Sequence, residues 1–134
     1  MIEVWNVVIQ RASWHGHVLA FGFDPVTGVW VVVDPHRRGT EVQLLPPWEF
    51  DAWIQGIADT GEVYRIAAQR STPTIVPGLW CVGAVKRLVG LRSGALFPAG
   101  LRRDLLRAGA RRVFNRESED ASRGERGSRR HRGA

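Results

Sequence analysis

Hydrophobic residues in the first half of the chain come in short runs that alternate with polar positions or stand unbroken. Both patterns predict strands. Residues 4–10 carry Val4, Trp5, Val7, Val8 and Ile9, a β-branched and aromatic run. A connector at 11–16 leads to a second strand at 17–23, where Gly16 and Gly22 suggest a bend or a close approach. Residues 24–28, with Pro25 early and Gly28 late, form a turn. Residues 29–33 are almost wholly apolar and predict a third strand, central and covered on both faces. A second turn at 34–39 and an alternating strand at 40–45 follow.

The period then changes. Pro46 and Pro47 precede Phe50, Trp53 and Ile54 at helical spacing, so 46–54 predicts a short helix with proline in its first turn. Thr60 and Gly61 break the pattern, and 62–68 predicts a fifth strand. After a loop at 69–78, residues 79–91 predict a helix that carries Cys81 and sets Val82, Val85, Leu88 and Val89 on one face. Residues 98–108 predict another, with Leu101, Leu105 and Leu106 inward and Arg102, Arg103 and Arg107 outward. The pattern implies an α+β fold: an antiparallel sheet of about five strands with the cysteine-bearing helix packed on it. This domain occupies 1–114, and 115–134 reads as a disordered Arg-rich tail with no apolar side chain larger than alanine.

Composition adds limits. At 134 residues and 44% hydrophobic, the chain can bury a core without a structural metal or disulfide. Its single cysteine forms no internal bridge and fits a reducing compartment. The N-terminal residues show no signal-peptide pattern. The longest uncharged run, 71–85, is too short and too broken by Pro73, Pro77, Gly78 and Gly83 to span a membrane. Charge is uneven. Residues 1–85 hold five arginines against eight acids, whereas 86–116 hold nine basic residues against Asp104 alone. The basic C-terminal third suits an anionic or protein partner, although no aromatic interleaving marks it as a nucleic-acid reader.

The candidate chemistry centres on Cys81. A thiol in the first turn of a helix feels the positive end of the helix dipole, which favours the thiolate. A cysteine nucleophile also needs a proton shuttle and a group that orients it. His17, at the start of a strand, is the candidate shuttle, and Asp34 the candidate orienting group. The hairpin register decides the latter. If paired residue numbers add to 51, His17 faces Asp34; if they add to 52, Asp34 moves to the opposite face of the sheet. Trp14 and Trp80 flank these residues in the chain and would line a substrate groove, whereas Trp5, Trp30 and Trp53 read as core. His15, His17, His36 and Cys81 could together bind zinc, but they lack the tight local pairs of a zinc signature, so no metal or cofactor is expected.

A histidine opening a strand (His17 to Phe21), a hairpin with a polar residue at its far end (Trp30 to Pro35) and a cysteine opening a helix (Trp80 to Leu88) occur here in that order. The order resembles circularly permuted papain-like proteins, including relatives of the NlpC cell-wall peptidases and the lecithin:retinol acyltransferase-like enzymes. Residues 97–106 also look like the closing helix of small phage-type versions. The resemblance implies a cysteine hydrolase or acyltransferase acting on amide or ester bonds, such as those of a cell-wall peptide. Cys81 would be the nucleophile, His17 the base and Asp34 the orienting residue. The Cys81 backbone N–H would be one oxyanion donor. It also admits a catalytically inactive structural or interaction protein of the same fold, such as a phage virion component. The location implied is cytoplasmic or virion-associated.

Overall fold

The computed structural model describes residues 2–11, 16–69 and 80–114, with Trp80 described in its backbone only. Six strands form one antiparallel sheet: β1 (Val4–Gln10), β2 (His17–Asp24), β3 (Val29–His36), β4 (Gly39–Leu45), β5 (Gly61–Ala67) and β6 (Arg111–Val113). Their spatial order is β4-β3-β2-β1-β5-β6. Three helices complete the fold: α1 (Pro47–Thr60), α2 (Trp80–Val89) and α3 (Pro98–Arg107). None is long and apolar enough to cross a membrane.

The sheet separates two apolar layers. On one side Val7, Val18, Ala20, Tyr64 and Ile66 pack with Cys81, Val82, Val85 and Val89 of α2 and with Leu101 and Leu105 of α3. On the other side Val8, Leu19, Phe21, Val32 and Val63 meet Phe50 and Ile54 of α1. This division follows directly from the period-2 alternation of β1 and β2. Aromatic stacking fixes α1: the Trp30 and Phe50 rings lie 3.8 Å apart and nearly parallel, and the edge of Trp53 meets Phe21 at 5.3 Å. Burying an aliphatic side chain as fully as Leu101 or Leu105 stabilises the fold by roughly 1.5–3 kcal/mol.

Several expectations are corrected. The sheet has six strands because 111–113 adds to β5, pairing Arg65 with Arg111 and Val63 with Val113. Helix α1 continues to Thr60, since Ile57 keeps its apolar face packed against the core beyond Ile54. Strand β3 does not stop at Val33 but runs through Asp34 and Pro35 to His36, so Asp34 is a strand residue and not part of a turn. Proline is tolerated there because it lies near the end of the strand. β3 is also less enclosed than its apolar run suggests. Only Val32 of its five leading apolar residues is buried, because its neighbour β4 is an edge strand that leaves Val42 and Leu44 exposed. Leu106 is likewise exposed.

Two glycines near the α1–β5 junction should respond oppositely to alanine. Gly56 lies within α1 with open space where a Cβ would stand. Gly56→Ala is expected to raise stability by about 0.5–1 kcal/mol through helix propensity. At Gly61 a Cβ would fall 2.3 Å from the Ile9 carbonyl oxygen, so the strands need glycine for closeness and not for its torsions. Gly61→Ala should cost about 1–3 kcal/mol, the usual range for overpacking. Urea denaturation of the two variants reads both signs.

Candidate active site

The site forms where the first residue of β2 meets the first turn of α2. Gly16 precedes it with φ +67°, and a Cβ at that position would stand 3.2 Å from Pro98 Cγ at the start of α3. The glycine thus lets the chain turn sharply into β2 beside α3, delivering His17 to the open end of the sheet. Cys81 is the second residue of α2, where backbone N–H groups have no intrahelical acceptor.

Three sequence candidates come together. The His17 Nε2 lies 2.5 Å from Asp34 Oδ1. The same imidazole hydrogen-bonds the Cys81 thiol. Since Nε2 faces Asp34, Nδ1 is the nitrogen left for sulfur. The backbone N–H groups of Val18 and Val82 also donate to the Cys81 sulfur. Burial opposes charge on this thiol, but the His17 hydrogen bond and the two N–H donors outweigh it and hold the thiol pKa below its ordinary value. His17 moves the other way, to about 9. Its hydrogen bond to Cys81 is the main cause, burial opposes it, and Asp34 adds to it. The shifts favour a thiolate–imidazolium pair. Cys81 is only 5% exposed, whereas the side chains of His17 and Asp34 are 29% and 27% exposed. Water therefore meets the carboxylate end of the chain of hydrogen bonds before the sulfur end.

The register that creates this geometry is neither of the two expected. Asp24 pairs with Val29, Phe23 with Trp30 and Ala20 with Val33, so partner numbers add to 53. The reason is local. The Asp24 carboxylate accepts from the Val26 N–H at 3.0 Å and from the Thr27 hydroxyl at 2.8 Å, and the Gly28 N–H donates to the Asp24 carbonyl. Four residues, 25–28, therefore lie outside the ladder. Sums of 51 and 53 share a parity, so Asp34 stays on the same face as His17, but diagonally. Continuing the register sets His36 directly opposite His17, and the two rings stack at 5.5 Å with 14° between their planes.

His36, which the sequence pattern places in a turn, is a neighbour of this group. Its Nε2 lies 3.2 Å from Asp34 Oδ2 and 3.6 Å from Glu41 Oε2. Asp34, Pro35 and His36 do alternate, a usable signal, but the proline argued for a strand end before His36. His17, Asp34 and His36 offer ligand atoms all within 4.8 Å of one another, and they are the group that could hold a metal ion among the described residues. Trp14, His15 and the side chain of Trp80 lie outside the described residues, so the proposed groove does too.

Lys86 departs from the basic surface to which the sequence assigned it. It is fully buried, and its Nζ donates to the Ser93 carbonyl at 3.1 Å and the Ala95 carbonyl at 2.5 Å. Burial lowers its pKa, against the pull of Asp104. Arg11, Arg102 and Arg112 converge on Glu62 at 3.0, 3.5 and 3.7 Å, so part of the remaining basic charge is balanced internally.

The thiol–imidazole contact makes a pH prediction. Alkylation of Cys81 by iodoacetamide should show its inflection below the ordinary thiol value of about 8.5. In His17→Ala the inflection should rise to that value or above, because burial then acts without its main counterweight. The same inflection in both proteins would contradict the contact. No family model, no curated protein and no solved structure matches this chain, so the functional reading rests on the site's own geometry.

Proposed function

We propose that the protein is a thiol hydrolase acting on amide or ester bonds, with Cys81 as nucleophile, His17 as proton shuttle and Asp34 as the residue that orients His17. The observation that carries this reading is the hydrogen-bonded series from the Asp34 carboxylate through the His17 imidazole to the Cys81 sulfur. Its parts play the roles that nucleophilic catalysis requires, on elements rigid enough to hold them.

The steps follow from those positions. The Cys81 thiolate attacks the carbonyl carbon and forms a C–S bond. The Cys81 backbone N–H, at the N-terminal end of α2, is one donor to the resulting oxyanion. The His17 imidazolium gives its proton to the departing nitrogen or oxygen as that bond breaks. Water then attacks the thioester, His17 accepts its proton, and the C–S bond breaks to return the thiolate. Asp34 keeps the ring in one tautomer and stabilises its charged form.

The α+β fold and the chain order His17, Asp34, Cys81 are compatible with a permuted papain-like protein related to the NlpC peptidases. That resemblance selects cell-wall peptides as the first substrates to try and a bacterium or its phage as the source. A second reading, a non-catalytic module of the same fold that docks to a partner through its basic C-terminal third, is favoured by one observation: the 5% exposure of Cys81.

Incubation with cell-wall muropeptides, followed by mass spectrometry, separates the two readings. Cleavage is expected to fall at least about a hundredfold in Cys81→Ala and His17→Ala, and less in Asp34→Asn, in line with the loss of general acid–base catalysis. A peptidyl electrophile should attach to Cys81 in the unmodified chain and not in His17→Ala at neutral pH. Cleavage that persists in Cys81→Ala, or a Cys81 that no electrophile reaches, defeats the hydrolase reading.

A further inference from the structure

The outer end of the hairpin collects more ligand chemistry than a thiol hydrolase requires. His17 Nε2 and His36 Nε2 face the two oxygens of Asp34, at 2.5 and 3.2 Å. Glu41, paired across the strands with Asp34, brings a second carboxylate to 3.6 Å from the same His36 nitrogen. We propose that His17, Asp34 and His36 form a binding site for a divalent transition-metal ion of the zinc class, on the side of His17 away from Cys81, with Glu41 bordering it beside His36.

Three physical points support this. The first is the donor set. Two imidazoles, each presenting Nε2 once the ion has displaced any proton there, and the Asp34 carboxylate make an N2O set with a fourth position open to water or Glu41, and imidazole–carboxylate sets suit zinc, nickel and copper better than magnesium or calcium. The second is spacing. Ligand atoms about 2.0–2.2 Å from a tetrahedral ion lie about 3.3 Å from one another. The His36–Asp34 and His36–Glu41 separations already stand near that value, and the His17–Asp34 pair needs to open by less than an ångström. The third is preorganisation. His17, Asp34 and His36 sit on the adjacent strands β2 and β3, Glu41 is paired to Asp34 from β4, and the ligand atoms of the first three already lie within 4.8 Å of one another.

Binding itself depends only on this geometry. Its effect on function rests on the thiol-hydrolase reading. With the ion on Nε2, the ring keeps a proton on Nδ1 and donates it to sulfur. It can then no longer alternate between base and acid, so turnover stops while the thiol remains free to react. The ion would act as an inhibitor that occupies the orienting end of the site.

The test uses the full chain with Zn2+ alone as the probe. Calorimetry on Cys81→Ser, which removes sulfur as a ligand, should show one ion bound per chain with micromolar affinity or tighter. His36→Ala should weaken binding about tenfold or more, and Glu41→Gln by a smaller factor. Circular dichroism checks that the variants are folded. In the unmodified chain, saturating Zn2+ should leave iodoacetamide modification of Cys81 intact. The proposal is overturned if Cys81→Ser binds no Zn2+ in the micromolar range, if His36→Ala binds as tightly as its parent, or if Zn2+ protects Cys81 from alkylation, which would place the ion on sulfur. Failure of the hydrolase reading looks different: Cys81 alkylation without metal would then be indifferent to His17, with Zn2+ binding to Cys81→Ser unaffected.

Discussion

An imidazole has two ring nitrogens that point in different directions, and His17 has both engaged. One faces a carboxylate and the other a thiol, so Asp34 and Cys81 must lie on different sides of a single flat ring. The rest of the fold satisfies that requirement. β3 brings the carboxylate along the sheet, and α2 brings the thiol from the layer above it. A residue at the end of a strand can reach both, and His17 is the first residue of β2. Its neighbour Val18 has its side chain wholly in the core beneath α2 and its N–H on the Cys81 sulfur. The core and the site therefore share a strand, and the packing that stabilises the domain also sets the distance between the Cys81 thiol and the His17 imidazole.

Much of this arrangement was legible before any coordinates. Strands β1 and β2 and the helices α2 and α3 lie close to where hydrophobic periodicity puts them, because each has a face against an apolar layer; β4 also lies where expected, although only its last residue, Leu45, packs on that layer. Cys81, His17 and Asp34 were identifiable from residue type and chain order. What escaped was set by hydrogen bonds that composition does not display. The four-residue loop is displaced by one position, to 25–28, because the Asp24 side chain closes on Val26 and Thr27, and continuing that register sets His36, not Asp34, opposite His17. Pro35 within β3 conceals the last three positions of the strand, Asp34 to His36. β6 is three residues long and holds its place through β5, and no local pattern of that length is distinctive.

Lys86 shows how far formal charge can mislead. Counted in the sequence, it opens the basic third of the chain. In the fold its ammonium closes over two carbonyls in the segment between α2 and α3, where Ser93 also binds Asp104 at 2.5 Å. A buried cation needs such acceptors, since an unsatisfied one would be too costly to keep. Lys86 thereby ties the cysteine helix to the residues that lead into α3. A displacement of α2 that uncovered the thiol would draw this linker with it.

The β2–β3 turn carries a quieter consequence. Its tip is exposed and remote from the thiol, the kind of loop in which insertions and deletions ordinarily accumulate without harm. What is constrained is the pairing and not the residue count. Strand side chains alternate, so a slip of β3 by one residue against β2 would turn Asp34 and His36 to the opposite face of the sheet, and it would also exchange Val32 and Val33 between the two apolar layers. A change of length in descendants of this chain must therefore be absorbed within 25–28, leaving Asp24 against Val29.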